Sequence, residues 1–117
     1  MSEHTDQCAL IHRVRLETPK RPLLELLFAI PNGGARDGRT GAMLKAEGVK
    51  PGVPDLCLPV ARGLYHGLYI ELKIKGKEAN KTQIALHAKL REQGYRVMVY
   101  DDWMEAWGEI ESYLDQV

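Results

Sequence analysis

Hydrophobic and polar positions along this chain follow two periods, one typical of helices and the other typical of strands. Near the N-terminus, Leu10 and Val14 recur at a spacing of four among polar residues, which predicts a helix over residues 2–17. Ser2 is suited to cap this helix, and an acidic Glu3 suits its positive end. The chain is therefore expected to open with an amphipathic helix.

Three short apolar runs follow, at residues 23–30, 53–60 and 64–74. The first is either a strand or a short buried helix, and its length favours a strand. A turn containing glycine joins the second and third runs, so we expect these two to pair as a hairpin. A fourth run, 95–100, alternates cleanly between apolar and polar residues and predicts another strand.

The second half of the chain also carries two helix signatures. Asn80 followed three residues later by Gln83 resembles a capping box, and Gly94 ends the predicted helix. The pair of aspartates at 101–102 caps a last helix. Its apolar stripe is either core or a subunit interface, and comprises Trp103, Ala106, Trp107, Ile110 and Leu114.

The predicted order is helix, three strands, helix, strand, helix, which indicates an α/β fold with a small mixed sheet flanked by helices. A chain of 117 residues suits one domain. Its formal net charge is zero, with 16 basic and 16 acidic residues, which argues against a protein that holds nucleic acid by bulk electrostatics. A small nuclease remains possible because a bound metal adds positive charge and basic residues can be segregated.

The two cysteines, Cys8 and Cys57, lack the spacing of a metal site. A disulfide between them stays open, but two buried free thiols in a reducing compartment are the favoured interpretation. We see no signal peptide and no apolar run long enough to span a membrane. These features predict a cytoplasmic protein, in a bacterium or a phage-infected host.

Candidate chemistry is concentrated between residues 52 and 73. Asp55 opens the second strand, and Glu71 and Lys73 lie two apart in the third, so the latter two share a face. If the strands pair, both carboxylates and the ammonium converge. Close carboxylates repel, and a hard divalent cation such as Mg2+ or Mn2+ resolves that repulsion while keeping reactive waters. The pattern favours phosphodiester hydrolysis; a Glu–Lys ladder facing solvent on an edge strand is the alternative.

Residues 32–50 are rich in glycine and basic side chains, as is typical of a loop that contacts phosphates. The alternative is a solvated loop with a helical turn near residues 40–47. The candidate DNA contacts are Asn32, Gly33, Gly34, Arg36, Arg39, Lys45 and Lys50, together with Lys75 in a later basic turn.

Several motifs in order resemble the VRR-NUC family, the virus-type replication–repair nuclease branch of the PD-(D/E)XK superfamily. They are Gly-Val-Lys-Pro-Gly-Val-Pro-Asp-Leu at 48–56, Ile-Glu-Leu-Lys at 70–73, Thr82-Gln83, Gly94-Tyr95-Arg96-Val97 and the upstream Pro31-Asn32-Gly33-Gly34. The resemblance runs from about Glu3 to about Tyr100 and implies a restriction-endonuclease-like αβββαβα core.

The resemblance also implies a fuller site. Glu3 on the first helix would complete the metal site, with Gln7 four residues later, although a frayed helix start is the alternative for Glu3. Gln83 would lie beside the active centre, or act merely as a helix cap. The expected metal ligands are Glu3, Asp55, Glu71 and the carbonyl of Leu72, and the expected catalytic residues are Asp55, Glu71, Lys73 and Gln83.

These features predict a Mg2+- or Mn2+-dependent endodeoxyribonuclease acting on branched DNA. Stand-alone members of the resembled family are thought to resolve four-way (Holliday) junctions as homodimers, and we expect the same here. A flap or single-strand nuclease, a non-catalytic DNA-binding subunit with the same fold, and a plain structural domain are the alternatives.

Overall fold

The computed structural model describes residues 2–31 and 40–117, and all structural statements below concern these residues. The α-helices are α1 (Glu3–Glu17), α2 (Gly41–Ala46), α3 (Lys81–Glu92) and α4 (Trp103–Leu114). The strands are β1 (Phe28–Ala29), β2 (Leu56–Leu58), β3 (Leu68–Leu72) and β4 (Arg96–Tyr100). A 3-10 helix covers Pro22–Leu26. Among the described helices, none has the length and apolar character needed to cross a membrane.

The strands form one mixed sheet in the order β1-β2-β3-β4. The pairs β1–β2 and β2–β3 are antiparallel, and β3–β4 is parallel. Leu56 lies opposite Ile70, so the residue before β2, Asp55, is level with Glu71. The predicted fold class, an αβββαβα core with a small mixed sheet flanked by helices, is confirmed; α2 and the 3-10 helix are additions to it.

Helices cover both faces of the sheet. On one face α1 and α4 pack on apolar side chains of β2 and β3, and the buried cluster includes Leu10, Val14, Leu56, Leu58, Leu68, Ile70, Leu72, Ala106, Trp107 and Ile110. The apolar stripe of α4 is therefore core, as one of its two interpretations predicted. The helix α3 packs against β4, and its first turn approaches β3 from the second face through Gln83.

Local sequence signals account for the helix ends. The Ser2 hydroxyl accepts a hydrogen bond from the Thr5 N–H at 3.1 Å, and the Asp102 side chain accepts one from the Met104 N–H at 2.8 Å. Each bond satisfies a backbone donor that the first helical turn leaves free. The predicted caps of the first and last helices are confirmed.

The prediction of a strand over 23–30 is wrong for its first half, where the 3-10 helix lies. Pro22 occupies the first turn of that helix, a position at which its fixed φ and missing N–H cost little. Leu24 is buried while Leu23 and Leu26 are each 42% exposed, which is not the alternation of a strand. The other predicted strands are present but shorter than their apolar runs.

The expectation of two buried free thiols is half correct. Cys57 and Cys8 are both free, but only Cys57 is buried and Cys8 is exposed. Cys8 lies on α1 on a face turned away from the core residues Leu10 and Val14. Cys8 lies among polar residues on that face of the helix, so it belongs to no apolar stripe that packs on the core.

Candidate metal centre

Asp55 is held in place by both neighbouring strands. Its backbone carbonyl accepts a hydrogen bond from the Ile30 N–H at 2.7 Å, just beyond β1. Its side-chain Oδ2 accepts one from the Leu72 N–H at 2.8 Å, at the end of β3. The antiparallel register thus fixes the Asp55 carboxylate at one end of the sheet, close to Glu71.

Glu71 is a buried carboxylate, with 2% of its surface exposed. Its Oε2 accepts a hydrogen bond from Gln83 Nε2 at 3.1 Å, whereas its buried Oε1 has no hydrogen-bond partner among the described residues. Burial, and then the charge of the adjacent Asp55, raise the pKa of Glu71 to about 8, although the Lys73 charge opposes this. The site is thus short of positive charge.

Glu3 joins these two carboxylates from the first turn of α1. One carboxylate oxygen from each of Glu3, Asp55 and Glu71 can be chosen so that all three lie within 4.8 Å of one another. Three converging carboxylates and a buried oxygen without a donor form a donor set that suits a hard divalent cation. These residues therefore fit the metal ion that the sequence predicted.

Lys73 and Leu72 complete the end of β3. The Lys73 N–H donates to the Tyr100 carbonyl at 2.9 Å, which extends the pairing of β3 with β4. The side chain of Lys73 is half-buried and near enough to Glu71 for its charge to lower the pKa of that carboxyl. Leu72 is buried, and its backbone N–H is the group that fixes Asp55.

Gln83 serves as a cap and also contacts the carboxylates. Its backbone N–H donates to Asn80 Oδ1 and its side-chain Oε1 accepts from the Asn80 N–H, both at 2.9 Å. Its Nε2 then donates to Glu71. Gln83 is therefore the helix cap that the sequence indicated, and its side chain also contacts Glu71; its place beside an active centre stays a prediction.

The predicted DNA contacts are only partly described. Lys45, Lys50 and Lys75 are exposed, as a phosphate contact requires. The remaining candidates, Asn32, Gly33, Gly34, Arg36 and Arg39, lie outside the described residues.

One groove lined by three lysines was not foreseen. Lys50, Lys81 and Lys89 line one groove between the 50–51 loop and α3. The spacing of Lys81, Ala85 and Lys89, four residues apart, was the available signal that they share a helix face. Gly52 brings the loop against α3: its φ is +89°, and a Cβ there would lie 3.0 Å from the Thr82 carbonyl oxygen.

His87 is more deeply buried than the sequence indicated, with 1% of its surface exposed. Burial, and then the charges of Arg91 and Lys73, lower the pKa of His87, while Asp55 acts in the opposite sense. The signal was its position four residues after Gln83, which places both on the face of α3 turned to the sheet.

Comparison with known proteins gives a consistent result. The family model described as the VRR-NUC domain matches residues 10–101. A solved structure described as a VRR_NUC domain protein aligns with a TM-score of 0.79 and 28% sequence identity, over 97% of this chain and 88% of that chain. No curated protein matches the sequence.

Proposed function

The chain belongs to the VRR-NUC domain family, a family of nuclease type, and on that premise we propose that it is a metal-dependent endodeoxyribonuclease. The proposal takes all 117 residues as one nuclease domain that hydrolyses phosphodiester bonds with Mg2+ or Mn2+. The observation that carries it is the convergence of Glu3, Asp55 and Glu71 within 4.8 Å beside Lys73.

Each residue has a role that follows from its position. Glu3, Asp55 and Glu71 hold the cation, with the Leu72 carbonyl as a further ligand. When bound, the cation supplies charge neutralisation and Lewis-acid activation of a water. Gln83 holds the Glu71 carboxylate in orientation through its 3.1 Å hydrogen bond.

Lys73 orients the attacking water and lowers the cost of its deprotonation. It is half-buried, and its charge acts on the Glu71 carboxyl, which supports a place for it beside the carboxylates. A positioned cationic donor also stabilises negative charge that develops on the phosphate oxygens in the transition state.

We infer that the substrate is branched DNA, in particular four-way junctions, cut by a homodimer. One such site cuts one strand, and a two-fold dimer places two sites symmetrically for paired cuts in a symmetric junction. The described residues form a small α/β core with short connections, which favours readout of DNA shape through backbone contacts over readout of sequence.

The decisive experiment compares purified wild-type protein with Asp55→Asn, Lys73→Ala and a control, Lys77→Ala, which changes an exposed lysine in the turn after β3. Labelled four-way junction, flap, single-stranded and linear duplex DNA are incubated with Mg2+, Mn2+ or EDTA. We expect symmetric, metal-dependent cuts confined to the junction, lowered by about 100-fold or more in the first two variants and unchanged in the control.

Full activity of folded Lys73→Ala would refute the mechanism. Cutting mainly at flaps or single strands would support the proposed active site but would show that four-way junctions are not the preferred substrate. Light scattering supplies the test of assembly, because a dimer has twice the 13.2 kDa mass of the chain. A monomer that still cuts junctions symmetrically would refute the homodimer.

A further inference from the structure

A cleft of about 600 Å3 opens beside Asp55 along one face of α1. Residues three and four apart on a helix lie on the same face, and the α1 side chains that line this cleft follow that spacing. They run from Glu3 to Arg15 and include Cys8 and Ile11. Two residues of the acidic cluster, Glu3 and Asp55, therefore line one end of the cleft.

A second cavity, of about 620 Å3, continues the cleft away from the acidic cluster. Ile11 and Arg15 line both cavities, so the two form one channel along α1. The opposite wall of the second cavity consists of the 3-10 helix and β1. At about 1.5 Å per residue, the α1 wall from Glu3 to Arg15 is about 18 Å long. The channel is thus an extended path that begins at the acidic cluster.

The size of the channel fits a single nucleic-acid strand. Each cavity lies within the range of about 300–1,000 Å3 that is typical of sites for small organic ligands, which leaves room for individual nucleotides. A duplex, whose major groove alone is about 12 Å wide, is too large for either cavity. The channel therefore excludes paired DNA and admits unpaired nucleotides.

The channel also offers a partner for each part of a nucleotide. Arg15 lies where the two cavities meet, is exposed, and forms no ion pair with another described residue. A guanidinium donates to two oxygens of a phosphate at once. Ile11, Leu27 and Ala29 supply apolar surface on which the face of a base can pack. Acidic Glu25 lines the far cavity, so the phosphate contacts end at Arg15.

We propose that this channel binds an unpaired segment of the substrate strand next to the bond that is cut, with one phosphate of the segment on Arg15. The preferred substrate is then branched DNA with unpaired nucleotides at the branch point. The inference rests on the proposed function, because the channel begins at the acidic cluster to which cleavage is assigned. It adds a requirement for unpaired nucleotides that the acidic cluster does not impose by itself.

Cys8 provides a direct test, because it lines the channel and is exposed whereas Cys57 is buried. Alkylation of Cys8 by N-ethylmaleimide is followed by mass spectrometry in the Asp55→Asn protein with Mg2+, so that DNA binds without being cut. A single-stranded oligonucleotide at about ten times its Kd leaves about a tenth of the protein free, so alkylation should slow about tenfold. A duplex of the same length, at the same multiple of its own Kd, should leave the rate unchanged.

Protection of Cys8 by the duplex, or no protection by the single strand, would overturn the proposal. Protection that grows with protein concentration in the absence of DNA would assign the channel to a second copy of the chain, which also overturns it. Cys57 serves as the control for unfolding, because a buried thiol reacts only when the core opens.

A charge variant tests the role of Arg15 separately. Arg15→Gln is expected to lower the affinity for the single strand about tenfold. The slope of log affinity against log salt should fall by about 0.7, the contribution of one single-strand phosphate contact. Arg13→Gln is the matched control, because Arg13 lies on another face of α1, where it pairs with Glu17 at 3.2 Å and lies over the Trp107 ring. An equal loss of affinity in both variants would refute the phosphate contact at Arg15.

Cleavage tests the requirement for unpaired nucleotides. A four-way junction with unpaired nucleotides at its branch point is expected to be cut about tenfold faster than a fully paired one, because the latter must first open about one base-pair step. Equal rates for the two junctions would contradict the requirement. If neither junction is cut, the proposed function fails, while the protection of Cys8 still shows whether the channel holds a strand.

Discussion

Both polar atoms of the Gln83 side-chain amide form hydrogen bonds. The oxygen accepts from the Asn80 N–H, and the nitrogen donates to Glu71. Because an amide is planar, fixing the oxygen in the helix cap also sets the direction of the nitrogen. The start of α3 thereby orients a carboxylate on β3. A residue that propensity rules assign to helix capping has in this way a second partner in the candidate metal centre.

We predict that Asn80→Ala and Gln83→Ala both destabilise the protein, by about 0.5–2 kcal/mol, because each removes part of the capping box. Only Gln83→Ala is expected to lower cleavage, by about tenfold, since only Gln83 contacts Glu71. Urea unfolding measures the first effect and single-turnover cleavage the second. Equal cleavage rates for the two variants would show that Gln83 acts only as a cap.

Glu71 makes the stability of the metal-free protein depend on pH. Its pKa rises from its usual value near 4.5 to about 8 in the folded state, so between these values the folded protein binds more protons than the unfolded chain. The contribution of Glu71 to the free energy of unfolding is then fully present below about pH 4.5 and is lost as pH rises through about 8. We expect wild type and Glu71→Gln, melted in EDTA, to have similar midpoints near pH 5 and the variant to be more stable near pH 9.

The comparison with Glu71→Gln is needed because His87 acts with the opposite sign. The lowered pKa of His87 means that the unfolded chain takes up its proton first, so stability is lost as pH falls below about 6.5. Both proteins contain His87, and its contribution cancels in the difference between them. A difference that does not grow with pH would contradict the assignment to Glu71.

Sequence reasoning placed Asp55, Glu71 and Lys73 together because strand periodicity and hairpin pairing are local rules. It did not foresee how deeply Glu71 and His87 are buried. Their burial depends on α3 folding back over the second face of the sheet, a contact between segments that are distant in the chain.

At the scale of elements, the helices were better predicted than the strands. The caps at Ser2, Asn80 and Asp102 are local hydrogen bonds, and the described helices start where those residues indicate. Strand lengths depend on which neighbour is available for pairing. The run 64–74 is a strand only over Leu68–Leu72, because its earlier part turns through an isolated bridge between Arg62 and Tyr65.

The elements β4 and α4 are joined by a polar cluster that the sequence did not reveal. Arg96 donates to both oxygens of Glu109, at 2.7 and 3.1 Å, and the Tyr100 hydroxyl donates to Glu109 Oε1 at 2.8 Å. Glu109 is only 9% exposed. Burial, and then this hydrogen bond, raise the pKa of Tyr100 to about 12, so the hydroxyl keeps its proton across the working range.

We predict that Glu109→Ala destabilises the protein by about 2–4 kcal/mol, because it removes every acceptor of this cluster and leaves the Arg96 guanidinium without its partner. Tyr100→Phe removes a single hydrogen bond and should cost about 1 kcal/mol. Chemical denaturation of both variants measures the difference. Similar small losses for both would mean that solvent replaces Glu109 as the partner of Arg96.

At the scale of the whole molecule, a net charge of zero conceals a separation of charge along the surface. The acidic cluster lies at one end of the sheet, and Lys50, Lys81 and Lys89 line a groove on the side of α3. Lys81 and Lys89 share one face of α3, whereas Gln83 and His87 share the face turned to the sheet. We therefore expect the lysines of this groove to contact DNA phosphates.

We predict that the double change Lys81→Gln and Lys89→Gln weakens DNA binding and reduces its salt dependence. Each duplex phosphate contact contributes about 0.9 to the slope of log affinity against log salt, so losing two contacts should lower the slope by about 1.8. Fluorescence anisotropy at several salt concentrations, in an Asp55→Asn background with Mg2+, measures this without cleavage. The control is Lys20→Gln, which lies beyond the far end of α1, on the order of 20 Å from Glu3. An equal loss in the control would indicate diffuse attraction to the whole surface, and an unchanged slope in the double variant would exclude the groove as part of the DNA path.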